Sequence, residues 1–407
     1  MDTFLVDDSD IYSYDLLLSQ IKTCKDYIPV LRTHSLYDYF FNLLTALAFN
    51  ESLVLIDSDM SEQEINSLAV GEINKPRSIK EASAWNNWET FRDTVLSSSS
   101  EITIFTSGTT GQPKKVVHTI GTLTRSVRRS DKHIEDIWLF AYNPTHMAGL
   151  QVFFQAFANK NALVNSFNQP RKTVFELIQR YHITHISATP TFYRLLLPAD
   201  QSFCSVRRIT LGGEKSNTSL YENILKLFPA AKLTNIYAST EAGSLFVAKG
   251  ENFQIPDSIV DKCKISPEGE LLVHKSLLGK SDSFIYQNDY YHTGDIVEWV
   301  DESKGMFRFV SRKNELINVG GYKVNPNEVE EAICNIEGVE QAYVYGKTNS
   351  ILGNMLFAEV VKQPGYVLSE LDIRKKLSIH LQDFKIPRKV IFVEHLSLTR
   401  TGKLKRV

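Results

Sequence analysis

Cysteine is scarce. The 407-residue chain has four, Cys24, Cys204, Cys263 and Cys334, with no Cys-x-x-Cys pair. That wide, irregular spacing excludes a zinc ribbon and a disulfide frame and points to a reducing compartment, the cytoplasm. Long apolar runs are missing too. None approaches the roughly 18 residues that a membrane helix needs. No sign of charge dominates: 45 Lys and Arg stand against 47 Asp and Glu, a net charge of −2. Bulk electrostatics therefore give the chain no pull toward nucleic acid or an anionic membrane. The opening "MDTFLVDDSDIYSYD" is acidic and lacks the basic-then-apolar layout of a secretory signal. There is no internal repeat and no low-complexity segment. What remains is an ordinary globular composition, 43% apolar and 23% charged, on a length that suggests two or three domains and a large core.

Short apolar runs alternate with amphipathic stretches through the first three hundred residues. "SLVLID" (Ser52 to Asp57), "EITIF" (Glu101 to Phe105), "IWLFAY" (Ile137 to Tyr142), "ITHIS" (Ile183 to Ser187), "RRITL" (Arg207 to Leu211) and "LTNIY" (Leu233 to Tyr237) read as strands. "KTVFELIQRYH" and "NTSLYENILKLF" read as helices between them. This alternation predicts an α/β sheet with helices on its faces. After Gly250 the pattern changes. "GELLVHKS", "DSFIYQN", "DIVEWV" and "GMFRFV" predict an antiparallel β-subdomain. Beyond "SRKNE" (Ser311 to Glu315) comes a compact β-β-α-β-β-α-β pattern, in which Asn325-Pro326-Asn327-Glu328 starts the first helix. The boundary falls near Arg312 to Asn314, giving a large domain over 1–312 and a small α+β domain over 313–407.

The stretch "TSGTTGQPKK" (Thr106 to Lys115) follows an apolar strand. Gly108 and Gly111 allow backbone to approach an anion closely. Ser107, Thr106, Thr109 and Thr110 add hydroxyl donors, and Lys114 adds a mobile positive charge. Successive N–H groups in such a loop form an anion-binding concavity, and α/β folds place ligands beyond strand ends. The stretch is a candidate phosphate loop. It is not a Walker A loop, because Pro113 rather than Gly precedes Lys114. On composition alone, a flexible surface loop is the competing reading.

The loop has company. "NPTHMAGL" (Asn143 to Leu150), "LGGE" (Leu211 to Glu214), "YASTE" (Tyr237 to Glu241), "YHTGD" (Tyr291 to Asp295), "SRKNELINVGGYKVNPNEVE" (Ser311 to Glu330) and "LTRTGKLKR" (Leu398 to Arg406) follow in order. From about Thr103 to the C-terminus the chain resembles the adenylate-forming superfamily of acyl- and aryl-CoA ligases, peptide-synthetase adenylation domains and luciferases. The resemblance implies an ATP-dependent, AMP-forming acid–thiol ligase. A carboxylic acid and MgATP would give an acyl-adenylate, and coenzyme A would take the acyl group as a thioester. The small C-terminal domain would be mobile, turning at Lys313-Asn314 between the two steps.

Residue by residue, the resemblance implies that Glu241 helps hold Mg²⁺, Thr240 touches phosphate and Tyr237 packs on adenine. Gly212 and Gly213 would let the backbone lie close to the nucleotide, with Glu214 near the adenine amino group. Asp295 would accept from both ribose hydroxyls, a role suited to two acceptor oxygens, and Arg312 would add a ribose or phosphate contact. His146 would form a gate or pocket wall at the acyl site. Lys403, in the frame Thr399-x-Thr401-Gly402-Lys403, would stabilise charge as the carboxylate attacks the α-phosphate. The hairpin Gly320, Gly321, Tyr322, Lys323 would line a pantetheine tunnel. Each has a plain alternative: a helix-start Glu, a strand–helix turn at "LGGE", a turn Asp after Gly294, a structural His, a solvated basic tail. His182 and His185 form H-x-x-H, but with no third ligand in view they read as structural.

Four positions depart from the family pattern. Ala238 stands where Gly is common, adding a methyl near the acyl pocket. Asn314 replaces the usual hinge Asp, Lys115 replaces Gly, and Ser311 precedes the arginine in place of Gly. The phosphate loop also begins early, so the N-terminal region is abbreviated. That frame, with "THMAGLQVFFQAF" and "RYHITHISATPTFYRLLL", is most similar to the succinylbenzoate-CoA ligases and other aryl-CoA ligases. The expected pocket, from His146 to Gln151, Ala188 to Thr191, Leu211 to Gly213 and Ala238 to Gly243, carries little charge and favours an uncharged aromatic or aliphatic acid body. Two rivals stay open: delivery to the phosphopantetheine of an acyl carrier protein, and a non-catalytic nucleotide- or acyl-adenylate-binding protein. Retention of Lys114, Glu241, Asp295, Arg312 and Lys403 speaks against the second.

Overall fold

A computed structural model describes residues 2–79, 85–106, 113–198, 200–214, 216, 218–319, 322–349 and 353–397. Residue contacts divide the chain into two compact units. The first comprises the chain up to Lys264 with Leu272–Tyr291 and Val300–Phe307; the second comprises Ile265–Leu271, His292–Trp299 and the chain from Arg308 onward.

In the first unit, six parallel strands lie side by side in the order Lys232–Ser239, Arg208–Gly212, His185–Ala188, Ile137–Phe140, Ala162–Asn165 and Thr3–Asp7. Antiparallel neighbours extend both edges: Gly243–Lys249 then Asn252–Gln254 at one, Asp10–Ser13 at the other. The expected α/β alternation is therefore present, and its cause is visible in the burial. All four residues of His185–Ala188 are buried, as they must be in a parallel strand covered on both faces. One face packs the helices Arg171–Arg180 and Thr218–Leu227. Val174 and Ile178, then Leu220, Ile224 and Leu227, recur at helical spacing and meet Leu139, Ile186, Ile209 and Leu211 in one core. The helices Leu36–Ala48 and Met147–Ala158 are buried almost all round. Between them Phe40 and Phe153 stack at 4.2 Å, and Phe40 meets the edge of Phe140.

A second sheet in this unit runs Val30–Arg32, Leu53–Ile56 and Glu101–Thr106 in parallel, with Lys114–Thr119 antiparallel to the last. One expected strand shrinks. Of 282–288 only Tyr286–Gln287 pairs, in a hairpin with Tyr290 and Tyr291. Asn288 and Asp289 both have positive φ, 49° and 68°, the two-residue turn that matches strand twist. Ahead of it, hydroxyl contacts between Ser281 and Ser283 hold a bend.

The second unit follows the expected β-β-α-β-β-α-β order. Ile317–Val319, Tyr322–Val324, Gly353–Lys362, Val339–Asn349 and Lys389–Phe392 form one sheet. The helix Pro326–Cys334 starts as read: Asn325 accepts from the Asn327 N–H, with Pro326 in the first turn. A reciprocal Ser369–Asp372 box caps Glu370–Leu377. Val329, Ile333, Ile373 and Leu377 bury their faces against Val344, Ala358, Val360 and Val390. Among the described residues no helix is long and apolar enough to cross a membrane.

Ile178 is fully buried in the larger core. Ile178→Ala is expected to destabilise the protein by about 2–5 kcal/mol, read as a lower urea midpoint with an unchanged slope.

Candidate active site

The sheet direction gathers the expected motifs. "NPTHMAGL" follows the end of Ile137–Phe140, Thr189 to Thr191 follow His185–Ala188, "LGGE" closes Arg208–Gly212, and "YASTE" closes Lys232–Ser239. Ser107, Gly108, Thr109, Thr110 and Gly111 of the phosphate-loop candidate lie outside the described residues, as do Gly320, Gly321 and Lys403. The flanks of the loop are clear. Thr106 is the register partner of Lys114 and Phe105 that of Lys115, so the two ends are held as neighbours in an antiparallel pair. The Ser281 hydroxyl donates to the Lys115 carbonyl at 2.5 Å.

The segment carrying Thr240 and Glu241 is fixed through three successive carbonyls. His118 Nε2 lies 2.9 Å from the Thr240 oxygen. The Gly279 N–H donates to Glu241 at 2.8 Å. The Arg125 guanidinium donates to Ala242 at 3.1 Å and to Leu277 at 2.8 Å. His118 has no exposure, and burial drives its pKa from the ordinary 6.5 down to about 4, with the nearby Arg125 charge acting the same way and the Thr240 contact opposing. Neutral imidazole carries one N–H, and placing it on Nε2 lets it donate to Thr240. With its backbone held, the Glu241 side chain has no hydrogen bond or ion pair among the described residues. An unpaired carboxylate on a fixed loop fits a magnesium ion, which needs only one or two carboxylates beside phosphate oxygens. The sequence reading missed His118, Arg125 and Gly279. Its one available signal was parity: in Lys114–Thr119, Val116 and His118 share the buried face.

His146 begins the helix Met147–Ala158, its side chain capping nothing and its Nε2 3.6 Å from the Asp57 carboxylate. Asp57, at the exit of Leu53–Ile56, also accepts from Asn143 Nδ2 at 3.1 Å and from the Asp59 N–H at 3.0 Å. Burial pushes the Asp57 carboxyl up, but His146 and these donors outweigh it and hold it below the ordinary value. Asn143 Oδ1 in turn accepts from the Thr145 N–H and hydroxyl. The helix meets this loop so closely that a Cβ on Gly149 would stand 2.3 Å from the Asn143 carbonyl oxygen. Asp57 is a second omission of the sequence reading.

In "LGGE", Gly213 has φ +82°, and a Cβ on Gly212 would lie 3.3 Å from the Ile236 carbonyl of the next strand. Gly212 thus sits tightly against the neighbouring strand. Glu214 accepts from the Thr191 hydroxyl at 2.7 Å and sits 3.5 Å from Arg194. Tyr237 packs against Phe246 and Phe253. A register shift falls between Tyr237 and Ala238 opposite Gly243–Lys249, a kind of irregularity that re-aims side chains beside sites.

In the second unit, buried Asp295 accepts from Arg312 Nε at 2.7 Å and its N–H donates to Thr293. Glu270, also buried, accepts from the Gly294 N–H at 2.9 Å, with His292 at 3.1 Å and Lys313 at 3.4 Å. Burial raises its pKa, but the His292 and Gly294 hydrogen bonds and the Lys313 charge prevail and leave it lowered.

The reading of the H-x-x-H pair needs correction. His182 sits at a left-handed turn, φ 49°. His185 instead meets Asp136 and His133, so a third ligand does stand nearby. The spacing could not show this, because Asp136 and His133 come from the segment that precedes Ile137–Phe140.

The buried His118 sets a pH dependence. Its folded pKa is lowered, so between pH 6.5 and about 4 the unfolded chain takes up a proton that the folded chain refuses. Its contribution to stability is complete above pH 6.5 and declines as pH falls, by up to about 1.4 kcal/mol per pH unit. His118→Gln, which keeps an N–H for Thr240, is expected to flatten the fall in melting temperature between pH 6.5 and 4.5. Gly149→Ala is expected to destabilise by at least about 1–3 kcal/mol in urea unfolding.

Comparison with known proteins agrees with this layout. The profile of the AMP-binding enzyme family matches residues 46–266, and that of the AMP-binding enzyme C-terminal domain matches 328–403. The chain is 28% identical over 381 residues to acyl-coenzyme A synthetase ACSM4, mitochondrial, of Mus musculus, covering 79% of this chain and 64% of that protein. It is 28% identical over 323 residues to the 2-succinylbenzoate–CoA ligase of Listeria innocua, covering 74% and 68%. The chain thus spans about two thirds of the length of the curated relatives it matches. The fold matches O-succinylbenzoate coenzyme A synthetase from Bacillus subtilis, solved with ATP and magnesium, with a TM-score of 0.75 at 20% identity over 99% of this chain and 95% of that one. With the first profile covering over half of its length, the chain belongs to the AMP-binding enzyme family.

Proposed function

We propose that the chain is an AMP-forming acid–thiol ligase that activates a carboxylic acid with ATP and passes the acyl group to coenzyme A. In the first step the carboxylate oxygen attacks the α-phosphorus, the bond to pyrophosphate breaks, and an acyl-adenylate forms. In the second a thiolate attacks the acyl carbon, the bond to the AMP oxygen breaks, and a thioester forms. The single observation that carries the reading is Glu241: a carboxylate without a partner among the described residues, on a segment whose three carbonyls are fixed from other elements. Glu241 would hold a magnesium ion, which would supply neutralisation of phosphate charge.

In this reading Thr106 to Gly111 and Lys114 hold the phosphates, and Thr240 touches them beside Glu241. Tyr237, Gly213 and Glu214 take the adenine, while Asp295 and Arg312 take the ribose. His146, Gly212 and Ala238 bound the acyl site. Lys403 stabilises the charge gathered in the first step, and Gly320 and Gly321 line the thiol's path in the second. The large domain is 1–312 and the mobile one 313–407, with Lys313-Asn314 as hinge. The acid has an uncharged aromatic or aliphatic body, since the stretches His146 to Gln151, Ala188 to Thr191, Leu211 to Gly213 and Ala238 to Gly243 carry little charge. The protein works in the cytoplasm.

The test is ATP–pyrophosphate exchange across a panel of carboxylic acids. Lys403→Ala is expected to slow exchange at least about a hundredfold, and unchanged exchange would refute the first step as assigned. Glu241→Gln is expected to raise the magnesium concentration needed for half-maximal exchange about tenfold. Offering free coenzyme A against a holo carrier protein decides the acceptor.

A further inference from the structure

At the opposite end of the same parallel strands lies a cluster that the proposed ligase reaction does not use. We propose that His133, Asp136 and His185 form a three-ligand site for a zinc-like divalent cation at the N-terminal edge of the sheet. Asp136 immediately precedes Ile137–Phe140, His185 opens His185–Ala188, and His133 ends the short helical turn Asp131–His133. The nucleotide motifs follow the other ends of these strands, so the two sites are separated by the length of the sheet.

Dimensions favour a tetrahedral ion. Asp136 Oδ2 lies 2.8 Å from His133 Nδ1 and 3.4 Å from His185 Nε2, and one ligand atom from each residue falls within 4.8 Å of the others. Four ligands at roughly 2.0–2.1 Å from zinc stand about 3.3 Å apart. Two imidazoles and one carboxylate suit zinc or cobalt and disfavour magnesium or calcium, which prefer oxygen.

A second observation points to a ligand independently. His185 is 4% exposed, yet its Nε2 makes no hydrogen bond. That atom faces the Asp136 carboxylate, and the other side of the ring is held in turn. The Thr184 hydroxyl donates to the Ile137 carbonyl at 3.1 Å and accepts from the Ile137 N–H at 2.8 Å. The same hydroxyl stands 2.8 Å from His185 Nδ1, and with the proton on Nδ1 the Nε2 atom would be an acceptor facing the carboxylate. Metal-bound histidines are oriented by just such a partner on the second nitrogen. The turn is held as well. Buried Asn161 donates to the His133 carbonyl at 2.6 Å, and its own carbonyl accepts from Tyr14 at 2.8 Å. His133, 21% exposed at its side chain, leaves an entry path for the ion and a water as fourth ligand. Arg207 stands 3.7 Å from Asp136 Oδ1, the other oxygen, and its half-exposed side chain can turn to solvent.

The competing account is a hydrogen-bonded charge cluster that binds nothing. The two separate cleanly on the full chain after chelator treatment and dialysis. Titration with Co²⁺ is expected to give one equivalent of binding with the intense visible bands of four-coordinate cobalt, displaced by one equivalent of Zn²⁺, and Zn²⁺ is expected to raise the melting temperature. His133→Ala, outside the sheet core, and Asp136→Asn are each expected to weaken cobalt affinity at least about tenfold. His182→Ala is expected to leave it unchanged. Absence of stoichiometric cobalt binding by the folded protein would overturn the site, and so would binding that survives both His133→Ala and Asp136→Asn.

Discussion

A neutral imidazole pressed against a backbone carbonyl governs the candidate active site. His118 is buried without exposure and faces Thr240, one residue before the carboxylate that the ligase reading needs. A charged ring there would lose its hydration with no carboxylate to answer it, so the protein keeps it neutral at physiological pH. The same strand that leaves the phosphate-loop candidate at Lys114 carries His118 four residues later. Loop exit and acidic segment are thereby tied into one body, and Arg125 and Gly279 complete the tie. Glu241 is left as the one acidic side chain on that segment, its backbone held from other elements and its side chain without a salt bridge among the described residues.

The parallel sheet explains why so few residues suffice to build the rest. Each strand end delivers one short motif to the same edge, and each motif is stiffened locally. Asn143 turns back on Thr145 and reaches Asp57. Gly149 lets the next helix ride against the Asn143 carbonyl. Glu214 is held between Thr191 and Arg194. In the second unit, Asp295 and Glu270 gather Arg312, His292 and Lys313 along the strand Tyr290–Asp301, where Gly294 takes φ +75°. Groups suited to nucleotide chemistry are therefore already oriented by protein contacts.

Much of this was legible in the sequence, for physical reasons. Strands buried on both faces write continuous apolar runs, amphipathic helices write a 3.6-residue period, and Asn325-Pro326 writes a helix start. Motifs such as "YASTE" are local, so they can be read in a line. What escaped the reading is long-range. His118 meets Thr240 across 122 residues, Arg125 meets Ala242 across 117, and Asn143 meets Asp57 across 86. No spacing rule joins such pairs. The histidine at 185 shows the same limit, since proximity in sequence suggested His182 while the sheet supplied Asp136. The shortened strand before Asn288-Asp289 is a different failure. Apolar content outweighed a two-residue turn signal that stood in plain view.

Gly279 has one more consequence. Its N–H serves Glu241, and a Cβ placed on it would stand 2.6 Å from His118 Cε1 and 2.8 Å from Val116 Cγ1. The two positions therefore share one small volume, although they stand 161 positions apart in the chain. A side chain at 279 is compatible with this architecture only when both 116 and 118 give way, so the three positions should change together or be retained together.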